Sequence, residues 1–223
     1  GWQPTNFFMA AGLILFVTLL QTFYQRTYRD ELTGIPGRLA YEEAIGQLGK
    51  RFSLAIISID QLSQYANTHG KPVSEQILKR VAPRVQAACA EGQVFRTTGE
   101  DLTVLFPGTS ATETLVTLET VRKTIEAIGM FLRGQDRVWE MQRGTKKAGS
   151  RDRALPITLS IGVAEKLSDS ATLSLVIKSA YRAVYEAKEI GGNVVKRGPV
   201  ASVPARQSHA GAGKIVTSGE YGT

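Results

Sequence analysis

The stretch that most restricts the fold runs Val94-Phe95-Arg96-Thr97-Thr98-Gly99-Glu100-Asp101-Leu102-Thr103-Val104-Leu105-Phe106. β-Branched and aromatic residues on both sides of a glycine at the bend predict two apolar strands joined by a tight turn. The tip presents two adjacent carboxylates, Glu100 and Asp101, and is therefore the candidate functional site.

A chain of 223 residues, 43% of them hydrophobic, suits one full domain with appendages. A single cysteine, Cys89, makes no internal disulfide and no metal cluster with the scattered His69 and His209, which points to a reducing, cytosolic setting for the main domain. The net charge of +7 and the pI near 9.6 suit an anionic partner: membrane lipid, nucleotide or nucleic acid. Charge alone does not choose among them.

No charged residue occurs from Gly1 to Gln25, and Phe7 to Tyr24 is nearly all apolar. As a helix that run would be about 27 Å long, close to the roughly 30 Å hydrocarbon core of a bilayer. The expectation is a transmembrane helix and stalk over residues 1–29, with Arg26 and Arg29 at its cytoplasmic end and Trp2 and Tyr24 at the interfaces. The alternatives are a signal peptide or a buried helix, but no basic region precedes the run and no small-residue cleavage site follows it. A start at Gly1 rather than Met predicts a fragment, with earlier spans or a sensor domain upstream.

Gly and Pro density marks Asp30 to Arg38 as a loop, followed by an amphipathic helix to about Leu48. Phe52 to Ile59 is a compact apolar run fit for a buried strand. A helix from Val73 to about Ala88 carries Ile77, Val81 and Val85 on one face, with a bend expected at Pro83. After the hairpin, Ser110 caps a helix to about Ile128. A basic insert, about 131–155, follows: Arg133, Arg137, Arg143, Lys146, Lys147, Arg151 and Arg153 outnumber Asp136, Glu140 and Asp152. It reads as an exposed loop or long hairpin, either solvated or touching anionic headgroups at about 1 kcal/mol per basic residue. Trp139 and Phe131 alone supply aromatic stacking there, so nucleic acid is not expected as a partner. Ile157 to Ala164 is the next strand, Ser170 opens a helix through Lys188, and Asn193 to Lys196 forms a short last strand. Residues 199–223, rich in Gly, Ser and Ala, are expected to be disordered. Strands alternating with helices predict an α/β fold, an α+β sandwich with a mixed sheet flanked by helices.

Four collinear segments resemble the GGDEF domain family, the diguanylate cyclase fold, and together cover about Asp30 to Arg197. Asp30 to Arg38 is similar to D-x-LTGLPNR, with Gly37 where Asn is usual, and Ile57 to Gly70 to LDIDxFKxIND-x-x-G. Arg96 to Leu102 resembles RYGG(D/E)EF, and the fourth comprises Ser160 to Ala164, similar to SIGVA, with Ala180 to Asn193, similar to ADxALYxAKxxGRN. The resemblance implies a domain of residues 30–198 acting in bacterial cyclic di-GMP signalling, anchored in the inner (cytoplasmic) membrane with the domain in the cytoplasm. Active members condense two GTP molecules held by facing domains, with Mg2+ neutralising the triphosphates.

Carried over residue by residue, the resemblance implies a damaged site. The family's leading Asp, a Mg2+ ligand, is Ser58 here, while Asp60 matches the second Asp. Glu100 keeps the third signature position, a metal ligand, and Asp101 stands one methylene short of the usual Glu. Ala66 replaces the guanine-binding Asn and Glu75 the second guanine contact, an Asp. Ser63 and Gly192 replace a Lys and an Arg that serve phosphate, whereas Lys188 matches the retained phosphate-contacting Lys. Thr98 replaces the first Gly of the signature, where a side chain would crowd the turn, while Gly99, Glu100, Lys188 and Arg96 survive. The inhibitory RxxD motif would need Arg and Asp where Cys89 and Gly92 stand.

The candidate residues are thus Glu100 and Asp101 as catalytic, Gly99, Glu75, Lys188 and Arg96 for nucleotide, and Glu100 with Asp60 for metal. Asp30 and Arg38 are expected to be structural, fixing their loop. The implied function is a membrane-anchored degenerate GGDEF domain acting as a regulatory or scaffolding module, with Mg2+ present if nucleotide binds. GTP, a homodimer through the stalk from Phe23 to Asp30, or a protein partner are the implied contacts. The enzyme alternative is a working diguanylate cyclase with atypical ligands, Asp60, Glu100 and Asp101 holding Mg2+.

Overall fold

The computed structural model describes residues 4–97, 99–128, 130–131, 154–166 and 171–199. Six helices are described: α1 (Pro4–Tyr28), α2 (Arg38–Gly46), α3 (Leu62–His69), α4 (Lys71–Ala88), α5 (Ala111–Ile128) and α6 (Leu173–Glu189). The strands are β1 (Phe52–Ile59), β2 (Gln93–Phe95), β3 (Leu102–Pro107), β4 (Met130–Phe131), β5 (Ala154–Leu155), β6 (Leu159–Lys166) and β7 (Val195–Arg197).

The main sheet has the order β2-β3-β1-β6-β7, so the strand read as a buried apolar run lies at its centre. Every residue of β1 is buried, as a strand covered on both faces must be. Its side chains alternate between two cores. Ala55, Ile57 and Ile59 join Ile77, Val81 and Val85 of α4 and Leu118 and Val121 of α5. Phe52, Leu54 and Ile56 join Ala40 of α2 and Val176, Ala180 and Val184 of α6. β1 is antiparallel to β3 and β6, and β6 is parallel to β7, which makes the sheet mixed as expected.

Helix ends follow local chemistry. The Ser110 N–H donates to Glu113 Oε2 (2.9 Å) and the Glu113 N–H to Ser110 Oγ (3.3 Å), a capping box that starts α5 where the sequence places it. Thr172 stands at the N-cap of α6, whereas Ser170 lies outside the described residues. Pro83 sits inside α4 on its exposed side, where water can satisfy the carbonyl that a proline leaves without a donor. The insert and the tail also lie outside the described residues, apart from the β4–β5 ladder pairing Met130 with Leu155 and Phe131 with Ala154, and residue 199.

One expectation is overturned. The N-terminal run does form a helix, the 25-residue α1, with Phe8, Met9, Leu13 and Phe16 exposed. Yet among the described residues no helix is long and apolar enough to cross a membrane. The apolar run from Phe7 to Leu20, already interrupted by Gly12 and Thr18, falls short of the roughly 20 residues a span needs, and Asn6, Gln21 and Thr22 flank it. The transmembrane assignment within residues 1–29 and the inner-membrane location fall with that observation.

Candidate functional site

The hairpin lies at one end of the sheet, its arms in register through Val94↔Val104 and Phe95↔Thr103. Gly99 turns the chain with a φ of +70°, in the left-handed region that glycine enters without strain. The β1–β3 ladder ends at Ile57↔Leu102, so residues 58 and 101 are the next positions beyond it. There the Ser58 Oγ, in a residue only 4% exposed, donates a 2.6 Å hydrogen bond to Asp101 Oδ1. Burial and the Asp101 carboxylate both push up the phenol of Tyr181 on α6, a residue that sequence reasoning passed over.

Arg96 holds the other flank. Its Nη1 lies 2.8 Å from each carboxylate oxygen of Asp30, its Nε and Nη2 donate to the Gly99 carbonyl at 3.1 and 2.8 Å, and its backbone N–H donates to the Pro36 carbonyl at 2.9 Å. Asp30 also accepts from the Thr33 N–H at 2.8 Å and from the Thr33 hydroxyl. Burial pushes the Asp30 carboxyl up, but the donors of Thr33 and Arg96 outweigh it and hold the group below its ordinary value. Arg96, read for nucleotide, thus makes its side-chain hydrogen bonds here to Asp30 and the Gly99 carbonyl. Asp30 does fix its loop, while Arg38 pairs on the surface with Glu42 of its own helix at 2.8 Å.

Asp60 is engaged as fully. Its Oδ2 accepts from Thr158 Oγ1 at 2.7 Å and from the Asn193 N–H at 2.9 Å, and its Oδ1 accepts from the Ser160 hydroxyl. Asn193 in turn accepts from Arg122 (2.8 Å) and donates to Glu126 Oε1 (2.8 Å), joining this carboxylate to α5. Asp60 therefore ties β1, β6 and the 191–193 loop together.

The remaining candidates are dispersed. Gly99 and Glu100 are exposed at the tip, Lys188 is exposed in the last turn of α6, and Glu75, partly exposed on α4, faces Lys71 at 3.8 Å. Among the described residues no group of three or more His, Cys, Asp or Glu side chains could hold a metal ion. Mg2+ needs hard, largely anionic oxygen donors at near-octahedral angles. A neutral Ser58 already bonded to Asp101, and an Asp60 committed to three donors, do not fit it.

A family model described as "Diguanylate cyclase, GGDEF domain" matches residues 27–194. Diguanylate cyclase VdcA of Vibrio cholerae is 30% identical over 170 residues, covering 74% of this chain and 45% of that protein, so the chain spans less than half the relative's length. The coiled coil and GGDEF domain of DgcB from Caulobacter crescentus, solved in complex with c-di-GMP, superposes with a TM-score of 0.70 at 22% identity, covering 88% of this chain and all of that one. Diguanylate cyclase SiaD of Pseudomonas aeruginosa, solved with its activator SiaC, gives 0.64 at 23% identity over 87% of this chain and 71% of its own.

Proposed function

The chain belongs to the GGDEF domain family, and from that membership we propose that its domain is a catalytically degenerate output module of cyclic di-GMP signalling. It acts by contact with a protein partner or by residual nucleotide binding rather than by making the dinucleotide. The observation that carries this reading is the Ser58–Asp101 hydrogen bond: the position that holds a metal-binding carboxylate in active members is a neutral donor bonded to the signature itself. If each of Ser58, Ala66, Ser63 and Gly192 costs about tenfold to a hundredfold, as the loss of metal-supporting partners does, the total is about four to eight powers of ten, less where neighbours couple. Glu100 and Lys188, both exposed, remain to meet a nucleotide. The exposed apolar side chains of α1 support pairing with a second copy.

A working cyclase is the second reading, favoured by the 30% identity to a diguanylate cyclase. It requires Asp60, Glu100 and Asp101 to hold Mg2+, and the hydrogen bonds around Asp60 and Asp101 weigh against it. Isothermal titration of GTP with Mg2+ into the full chain, with product analysis of the same sample, separates the readings. Absence of cyclic di-GMP is expected: heat of binding would make the domain a nucleotide-sensing module, and its absence would leave a protein scaffold. Cyclic di-GMP in the product overturns the proposal.

A further inference from the structure

Two carboxylates brought together at the base of a hairpin repel unless a cation or a shared proton lies between them. This chain has removed that requirement. Position 58 offers a hydroxyl donor, and the nearest group it meets is an Asp101 oxygen 2.6 Å away. The two residues are the first beyond the β1–β3 ladder, so their bond continues that contact by one more step toward the turn. Ser58 is 4% exposed, which shields the bond from competing water.

We infer that Ser58 is a positioning residue: its hydroxyl ties Asp101 to β1 and holds the signature turn without metal or nucleotide. The second tether is equally metal-free, because Arg96 closes the turn on the Gly99 carbonyl while anchored to Asp30. With both flanks held by protein groups, exposed Glu100 is presented without the help of Mg2+. The inference rests on the degenerate reading only in denying position 58 a metal-binding role.

Amide hydrogen exchange on the full, nucleotide-free chain tests it, comparing residues 99–103 in Mg2+ and in EDTA. The native chain is expected to exchange alike in both. Ser58→Ala should exchange about tenfold or more faster at the turn, equally in both buffers, since a hydrogen bond to a charged group is lost. Ser58→Thr, which keeps the hydroxyl, should restore protection, and amides of β1 and β6 report whether each variant is folded. Protection of the native turn that rises with Mg2+, or Ser58→Ala indistinguishable from native, overturns the inference. Cyclic di-GMP production would sink the degenerate reading while leaving this exchange pattern intact, so the two failures are distinguishable.

Discussion

Arg96 grips Asp30 across a sequence separation of 66 residues, one guanidinium nitrogen lying 2.8 Å from both carboxylate oxygens. The side chains are 16% and 21% exposed, so solvent screens the pair less than a surface ion pair. Because Arg96 also holds the Gly99 carbonyl, and the Arg29↔Pro36 bridge follows α1 directly, the pair connects the end of α1 to the signature turn. Arg96→Ala and Asp30→Ala are each expected to destabilise by about 2 kcal/mol, the cost of leaving a charged hydrogen-bonding partner unmatched. In a double-mutant cycle by urea unfolding the coupling should exceed about 1 kcal/mol. Additive single effects would mean that the two side chains act separately.

The same carboxylate gives a pH dependence. The Asp30 pKa is depressed in the folded state, so its contribution is fully present above the unfolded value, about 3.9. It is lost as pH falls from there through the folded value, since the unfolded chain then binds the proton more readily. Asp30→Asn should therefore lower the urea midpoint at neutral pH and narrow its gap to the native chain on acidification below about pH 4. A constant gap down to the acid limit would show that the charge of Asp30 contributes nothing.

What the sequence disclosed, and what it withheld, follows the range of the interactions. β1 was legible as an unbroken apolar run, the hairpin from its glycine and flanking β-branched residues, and the start of α5 from Ser110. Asp60 was not, because its donors lie 98, 100 and 133 residues away and only the folded sheet brings them to it. The pairing of Arg96, read for nucleotide, with Asp30 was not legible either, because sequence does not say which carboxylate satisfies a guanidinium. The apolar run of α1 led to a helix, which is present, and to a membrane span, which is not: among the described residues no helix is long and apolar enough to cross a bilayer.

Restoring the family's Arg at position 192 should not restore phosphate binding. Gly192 has a φ of +77°, and a Cβ there would lie 3.0 Å from each carboxylate oxygen of Asp60. Gly192→Arg is expected to cost about 1–3 kcal/mol, the usual penalty for holding a non-glycine residue in left-handed backbone. It should also loosen the bond from the Asn193 N–H to Asp60. A thermal melt at or above the native midpoint, together with tighter GTP binding, would show that the 191–193 loop rearranges freely.

Ser58→Asp is the sharper reversion, since it restores a carboxylate where the structure has a donor. Asp101 Oδ1 is 2.6 Å from the present hydroxyl, so the substitution sets two anionic groups against one another in a nearly buried position. Without a cation the variant should lose about 2–4 kcal/mol, combining the lost hydrogen bond with like-charge repulsion. Added Mg2+ should return part of that loss by binding only the folded state, raising the melting temperature with concentration as linkage requires. The native chain, with no carboxylate at position 58, should melt at the same temperature with Mg2+ or EDTA. Ser58→Asp combined with Ala66→Asn then reports on nucleotide: in a degenerate domain the pair either gains GTP binding or stays silent, whereas a domain already making cyclic di-GMP gains little. A native chain stabilised by Mg2+ as strongly as the variant would mean that Asp60, Glu100 or Asp101 already holds the ion.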